Sequence, residues 1–453
     1  MTPAPPCPGG RIGPYERPPD FPAPLPQRRP PVLAAARAAV QARLEELDPR
    51  TRRAWGWDLA TETFAGLYNG AIWTFVQRIA RADLHATTAQ MAWISSAPAV
   101  GYLFATLWAR QMEGRSKLPF VYWTWLVARG VFVLTPFLAT REQYVALVCF
   151  TPILFSVSTP AYTATMKEIY PDRQRGRLMS GTRIVRSLFT LLTALVAGRL
   201  LDHGVDYGTV FAFGGVCGAL SAFAFSRIPV PPMPAEQECR SRAGEFLRDT
   251  FGILVRNPGF RWFSASVFVS GFGNLVATTL YPIYQVDVFH VSNTTVAELQ
   301  NTASIATILS FFFWGGFLDR RGPLTTVLVA LAANLVTPLA YATSHTLWPL
   351  YVAAAASGFA MAGVDLGYLN TTLLFAEPGK AAQYQALHSS FFGIRGTIAP
   401  QFAVPLMHAF GARNTFWIAF SIMVFGVWLQ LVSMRDFRRQ ARRAMRGRRE
   451  AGE

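Results

Sequence analysis

Asp365 is the one charged residue in an apolar stretch, 347–374, and a carboxylate in such a place can do chemistry. A charge at bilayer depth costs about 2.5–3.5 kcal/mol on insertion scales, so it needs a purpose. This carboxylate could take up a proton, because its ionised form loses hydration, or hold a cationic ligand. The plainer reading is a polar group satisfied by a neighbouring helix. Arg129 is likewise the one charge of 119–139, and a structural hydrogen bond or ion pair ranks ahead of ligand contact there. Asn69 and Asn274 sit mid-way along their own apolar stretches; they either face each other across a cavity or bond between helices within their own halves. Arg186 and Arg395 lie about two turns inside the ends of theirs, where a long side chain can snorkel to the interface, with an anion-facing or gating role as the alternative. Asp58 and Glu62, four apart, share a helix face. Helix-start electrostatics accounts for Asp58; Glu62, deeper, is a second candidate for proton coupling.

These residues are carried by a chain of 453 residues, 51% hydrophobic and 15% charged. Soluble domains carry about 25% charge, and a spanning helix needs about 20 mostly apolar residues. Twelve such spans are expected: 58–80, 89–110, 119–139, 143–166, 179–202, 207–227, 260–286, 295–318, 324–343, 347–374, 384–409 and 414–434. The domain plan is a Pro-rich tail over 1–57 with a short amphipathic helix at 32–47, a six-helix bundle over 58–227, a linker over 228–259, a second bundle over 260–434, and a basic tail over 435–453. The first 31 residues lack an apolar period and are expected to be disordered. The eight arginines of the basic tail are expected to touch anionic lipid.

The net charge of +16 suits nucleic acid only if the charges cluster on one face, and they do not. Of 42 Lys and Arg, 33 lie in the two tails and the loops on their side, against 5 on the other side: Arg78, Arg81, Arg141, Arg199 and Arg413. By the positive-inside rule both termini are cytoplasmic, in a multi-pass protein of the cell membrane. The six histidines are scattered and the four cysteines lack ligand spacing, so no metal site, cofactor or catalytic set is expected. Asn293-Thr294-Thr295 fits a glycosylation sequon, a weak three-residue pattern.

The halves repeat at an offset of about 205–209 residues: Asn69 matches Asn274, Thr87-Thr88 matches Thr294-Thr295, Gly114 matches Gly322, and Arg186 matches Arg395. Internal repeats of this kind mark transporter folds.

At its loops the chain resembles the major facilitator superfamily. Gly315-Gly316-Phe317-Leu318-Asp319-Arg320-Arg321-Gly322 is similar to the family's loop signature of a Gly, an Asp four residues on, a basic residue and a Gly. Arg110-Gln111-Met112-Glu113-Gly114-Arg115 is a degenerate first-half copy, with Gln111 in place of the Asp. Pro171–Arg177 and Arg256–Arg261 add to the likeness. The resemblance implies an all-α membrane fold of two pseudo-symmetric six-helix bundles, a central cavity lined by spans one, four, seven and ten, and a cytoplasmic gate at Gly315, Asp319, Arg320, Gly322, Gly114 and Arg115. An Asp near a helix N-terminus gains from the dipole and could latch that face shut. The function expected is that of a secondary transporter, monomeric, moving a small-molecule substrate by alternating access, with protons as the candidate coupling ion. A non-transporting receptor or scaffold on the same fold, and a polytopic membrane enzyme, are the alternatives.

Overall fold

The computed structural model describes residues 48–104, 108, 116–171, 175–230, 252–376 and 381–450. These are helical, with no strand among the described residues. Twelve spans follow in order: α1 (Pro49–Tyr68, continued by π-helical turns at Asn69–Trp73 and Ile79–Asp83), α2 (Thr88–Leu103), α3 (Leu118–Gly130), α4 (Arg141–Ile169), α5 (Arg175–Asp202) and α6 (Tyr207–Ser226) make the first half. The second comprises α7 (Pro258–Asp287), α8 (Asn293–Arg321), α9 (Pro323–Asn334, resumed at Val336–Thr343), α10 (Trp348–Phe375), α11 (Ala381–Phe410) and α12 (Ala412–Glu450). Nine helices among the described residues are long and apolar enough to cross a membrane. The others are α1 and α11, which carry the polar groups treated below, and α2, described for only 16 residues.

Two boundaries differ from the sequence expectation. α1 begins at Pro49, so Asp58 lies in its third turn and the helix-start explanation for it falls away. α12 runs unbroken to Glu450, so the basic stretch from Arg435 continues the last span. Residues Met1–Arg52 form a unit separate from Arg53–Glu453, and only the opening turn of α1 is described in it. The amphipathic helix expected at 32–47 and most of the expected linker, 231–251, lie outside the described residues.

The repeat is visible in how the third span of each half breaks. α3 tightens into a 3-10 stretch at Val131–Phe137 containing Pro136; α9 breaks at Leu335, three residues before Pro338. Proline lacks the N–H that would continue the ladder. In α3 the Thr135 hydroxyl, 2.6 Å from the Phe132 carbonyl, supplies the missing donor. Arg129 and Asn334 stand just before these breaks.

Within the second half α7 packs on α12 and α10 on α8 and α9; in the first, α3 packs on α6 and α4. The halves meet along two seams, α2 with α11 and α5 with α8. The core cluster of Phe75, Val76, Ile79, Tyr281, Tyr284 and Tyr341 draws on both halves at the face away from the chain ends. On the outside, Phe312, Phe137, Trp348 and Trp123 are exposed. Large apolar residues in that number suit a hydrocarbon surround, not water.

Candidate functional site

The site starts from a close helix approach. Gly66 and Gly70, one turn apart on α1, leave room for α5: a Cβ on either would lie 2.6 Å from a carbonyl oxygen, of Arg186 and Thr190 respectively. Small residues at i and i+4 are how membrane helices come together. The approach sets Glu62, one turn before Gly66, against Arg186 with 3.2 Å between Oε2 and Nη1. The Glu62 side chain is 4% exposed and the Arg186 side chain 39%. The contact is a charge pair rather than a directed hydrogen bond, since Glu62 Oε2 has no hydrogen-bond partner.

Around this pair the first half is polar. Asp58, buried, accepts a 2.7 Å hydrogen bond on Oδ2 from the Tyr170 hydroxyl at the end of α4, and its Oδ1 has no hydrogen-bond partner. Tyr162 of α4 lies within electrostatic range of both carboxylates and of Arg186. Arg129 is 6% exposed. It donates to Ser221 Oγ and stacks on Trp125, 4.0 Å from ring centre, with Tyr68 and Phe155 further out. Cation–π contact compensates a desolvated guanidinium, so the partner that the sequence did not reveal is an aromatic cage plus a serine. Gly218 of α6 makes room for it, because a Cβ there would lie 2.5 Å from that of Arg129.

In the second half Arg395 turns inward instead of reaching for the interface. It is 6% exposed, donates to the Val267 carbonyl of α7, lies within electrostatic range of Tyr368 of α10, and leaves Nε without a partner. Gly271 of α7 gives it passage, since a side chain there would collide with the guanidinium. His388, half-buried on α11, faces Tyr368 edge-on at 5.2 Å.

The remaining sequence candidates separate. Asp365 is exposed on α10, within electrostatic range of Arg183 of α5. Asn274 accepts a 3.1 Å hydrogen bond from Asn334, so it is tied within its own half. Asn69 opens the π-helical turn of α1, a local distortion that recurs at functional sites. At the gate loop, Gly322 has φ +78°, the left-handed region that lets α8 end and Pro323 begin α9. Gly315 meets no neighbour within 4 Å, and Asp319 and Arg320 are exposed and form no ion pair among the described residues. Gly114 and Arg115 lie outside the described residues.

Sequence reading missed the fastening on the face away from the chain ends. Arg81 grips Asp287 with hydrogen bonds of 2.8 and 2.5 Å, and Arg78 donates to the Val291 carbonyl at 3.1 Å. Asp202, at the end of α5, receives the Asn293 and Thr294 backbone N–H groups at 2.9 and 2.8 Å and the Asn293 amide at 3.0 Å, capping α8 from the other half. That bond and the burial of Asn293 remove the sequon as an acceptor. One signal was available: Arg78 and Arg81 are two of the few cations on a face otherwise poor in them.

Two six-helix halves closed against each other on one face, with charged groups buried inside each, define a secondary-transporter fold. The Major Facilitator Superfamily model matches residues 60–299 and 287–450, and the chain belongs to that family of transporters rather than to a class of enzymes. Among solved structures, a mutant of the nucleoside transporter NupG is similar with a TM-score of 0.70 at 12% identity, over 84% of this chain and 99% of that one. A bacterial homologue of the human lysosomal transporter Spinster, inward-facing and unoccupied, is similar with a TM-score of 0.62 at 15% identity, over 87% and 98%. No curated protein sequence matches the chain.

Proposed function

We propose that the chain is a proton-coupled transporter of a small solute, working by alternating access as a single chain in the cell membrane with both termini cytoplasmic, and that Glu62, with Asp58 beside it, carries the proton. The observation that carries this reading is the pairing of buried Glu62 with the part-exposed Arg186 at the α1–α5 contact. A proton on Glu62 removes its charge and frees Arg186, and α5 itself forms one of the two seams between the halves. Charge and helix contact are therefore linked at one point. The 33-to-5 charge split supports the orientation. At 12–15% identity, the solved neighbours support no choice of substrate.

The test is flux in proteoliposomes. Glu62→Gln, which resembles the protonated carboxyl, should abolish accumulation driven by a pH gradient while sparing solute exchange. Wild-type accumulation in this variant would move the coupling site elsewhere. A solute that binds without crossing would make the protein a receptor on this fold.

A further inference from the structure

The two halves share a polar frame and differ in one component of it. Arg186 on α5 and Arg395 on α11 are repeat equivalents; Tyr162 on α4 and Tyr368 on α10, 206 residues apart, are as well. Each arginine has its half's tyrosine nearby and reaches the half's first helix, at Glu62 in one case and at Val267 in the other. Those two positions are themselves 205 residues apart, as are Gly66 and Gly271, the glycines that admit each arginine's helix or head group. Asp58 corresponds in the same register to Phe263. The arginine–tyrosine frame is thus duplicated, and both carboxylates that accompany it in the first half are replaced by apolar residues in the second.

This leaves Arg395 as a buried cation without an anion. Its contacts are a backbone carbonyl and the Phe392 ring at 5.5 Å, with the Tyr368 phenol in electrostatic range. Its Nε is unpartnered, and no carboxylate is in ion-pair contact with it among the described residues. Burying an unpaired charge costs several kcal/mol, which a counter-charge, or a close set of acceptors and aromatic faces, must offset. Arg129, the other deeply buried arginine, also leaves Nε unpartnered but is stacked on Trp125 at 4.0 Å and donates to Ser221.

We propose that Arg395, with Tyr368 and His388 beside it, is the seat for an anionic group, a carboxylate or phosphate, on the transported solute. Arg presents paired N–H donors that match either group, and the Tyr368 phenol and His388 imidazole, in ring contact at 5.2 Å, lie beside it. The proposal rests on the transport reading and assigns its substrate class: an organic anion enters the second half while a proton titrates the first. A solute bearing the missing negative charge completes at Arg395 the pairing that Glu62 completes at Arg186.

The experiment uses the purified full-length chain, with thermal unfolding in detergent as readout, because a ligand of the folded state raises Tm. The probes are pyruvate, succinate, glucose 6-phosphate and inorganic phosphate, with glucose as the neutral and tetraethylammonium as the cationic control. At least one anion should stabilise the wild type; the carboxylates and phosphates separate the two sources of charge. Arg395→Gln should weaken that response at least tenfold in concentration. Val267→Glu, which supplies the absent carboxylate in place, should fold with unchanged or higher Tm and also lose the response. Absence of any response to the four anions, or a wild-type response in both Arg395→Gln and Val267→Glu, overturns the proposal. So does rescue of an unstable Arg395→Gln by Asp365→Asn, which would make Asp365 the internal partner. Flux of a neutral solute at wild-type rate in Arg395→Gln would remove the anion seat and leave transport standing.

Discussion

Arg81 and Asp287 join the two halves through a two-pronged contact, 2.8 and 2.5 Å long, at the face away from the chain ends. Both side chains are partly exposed, so the pair alone is worth about 0.2–1 kcal/mol. That is enough to shift a balanced two-state equilibrium up to about fivefold. Ala86, buried at this closure, reports on it. Thiol labelling of Ala86→Cys should speed up a few-fold when Arg81→Ala or Asp287→Asn is added. An unchanged rate would mean that Asp202 and the apolar contacts alone hold the face shut.

Asp319 should act in the opposite sense. It is exposed and makes no ion pair among the described residues while the far face is closed. If it latches the other face in the alternate conformation, Asp319→Asn should disfavour that conformation and slow Ala86→Cys labelling. A folded variant with unaltered labelling would leave Asp319 as a loop residue next to the turn at Gly322.

Asp365 and Glu62 make a contrast. Asp365 is exposed near Arg183, and Glu62 is buried against Arg186. Asp365→Asn should leave pH-driven accumulation in place and change stability by less than about 1 kcal/mol. Loss of accumulation in Asp365→Asn with retention in Glu62→Gln would make Asp365 the proton carrier.

Gly358 of α10 packs where a Cβ would run into the Ala303 carbonyl of α8. Neither backbone can yield without parting the two helices, so Gly358→Ala should cost about 1–3 kcal/mol. Gly315→Ala, where nothing lies within 4 Å, should stay within about 0.5 kcal/mol. Tm in detergent compares them, and equal values would show that α8 and α10 slide freely.

Topology is checked by reporter fusions. Fusions after Lys380 and after Arg435 should read cytoplasmic and one after Thr343 external. A C-terminal reporter outside the cell would reverse the assignment.

The number of spans, the two-half organisation and the family were legible in the sequence because each rests on local pattern. Length and apolarity mark a span wherever it sits, Asp319 and Gly322 keep their spacing in any fold, and the repeat between Arg186 and Arg395 survives as an offset. What those arginines meet was not legible. Nothing near Arg186 in sequence indicates Glu62, 124 residues away; Gly66 and Gly70 bring them together by admitting the α5 backbone. Nor does the chain around Arg395 show that its counterpart position is Val267, or that Arg129 lies in a cage from α1, α3, α4 and α6. A charge within an apolar span announces that it needs a partner, because its desolvation cost depends on its own surroundings. Which partner it finds, or whether it is left for a ligand, depends on the crossing of helices distant in sequence, and only the tertiary structure decides that.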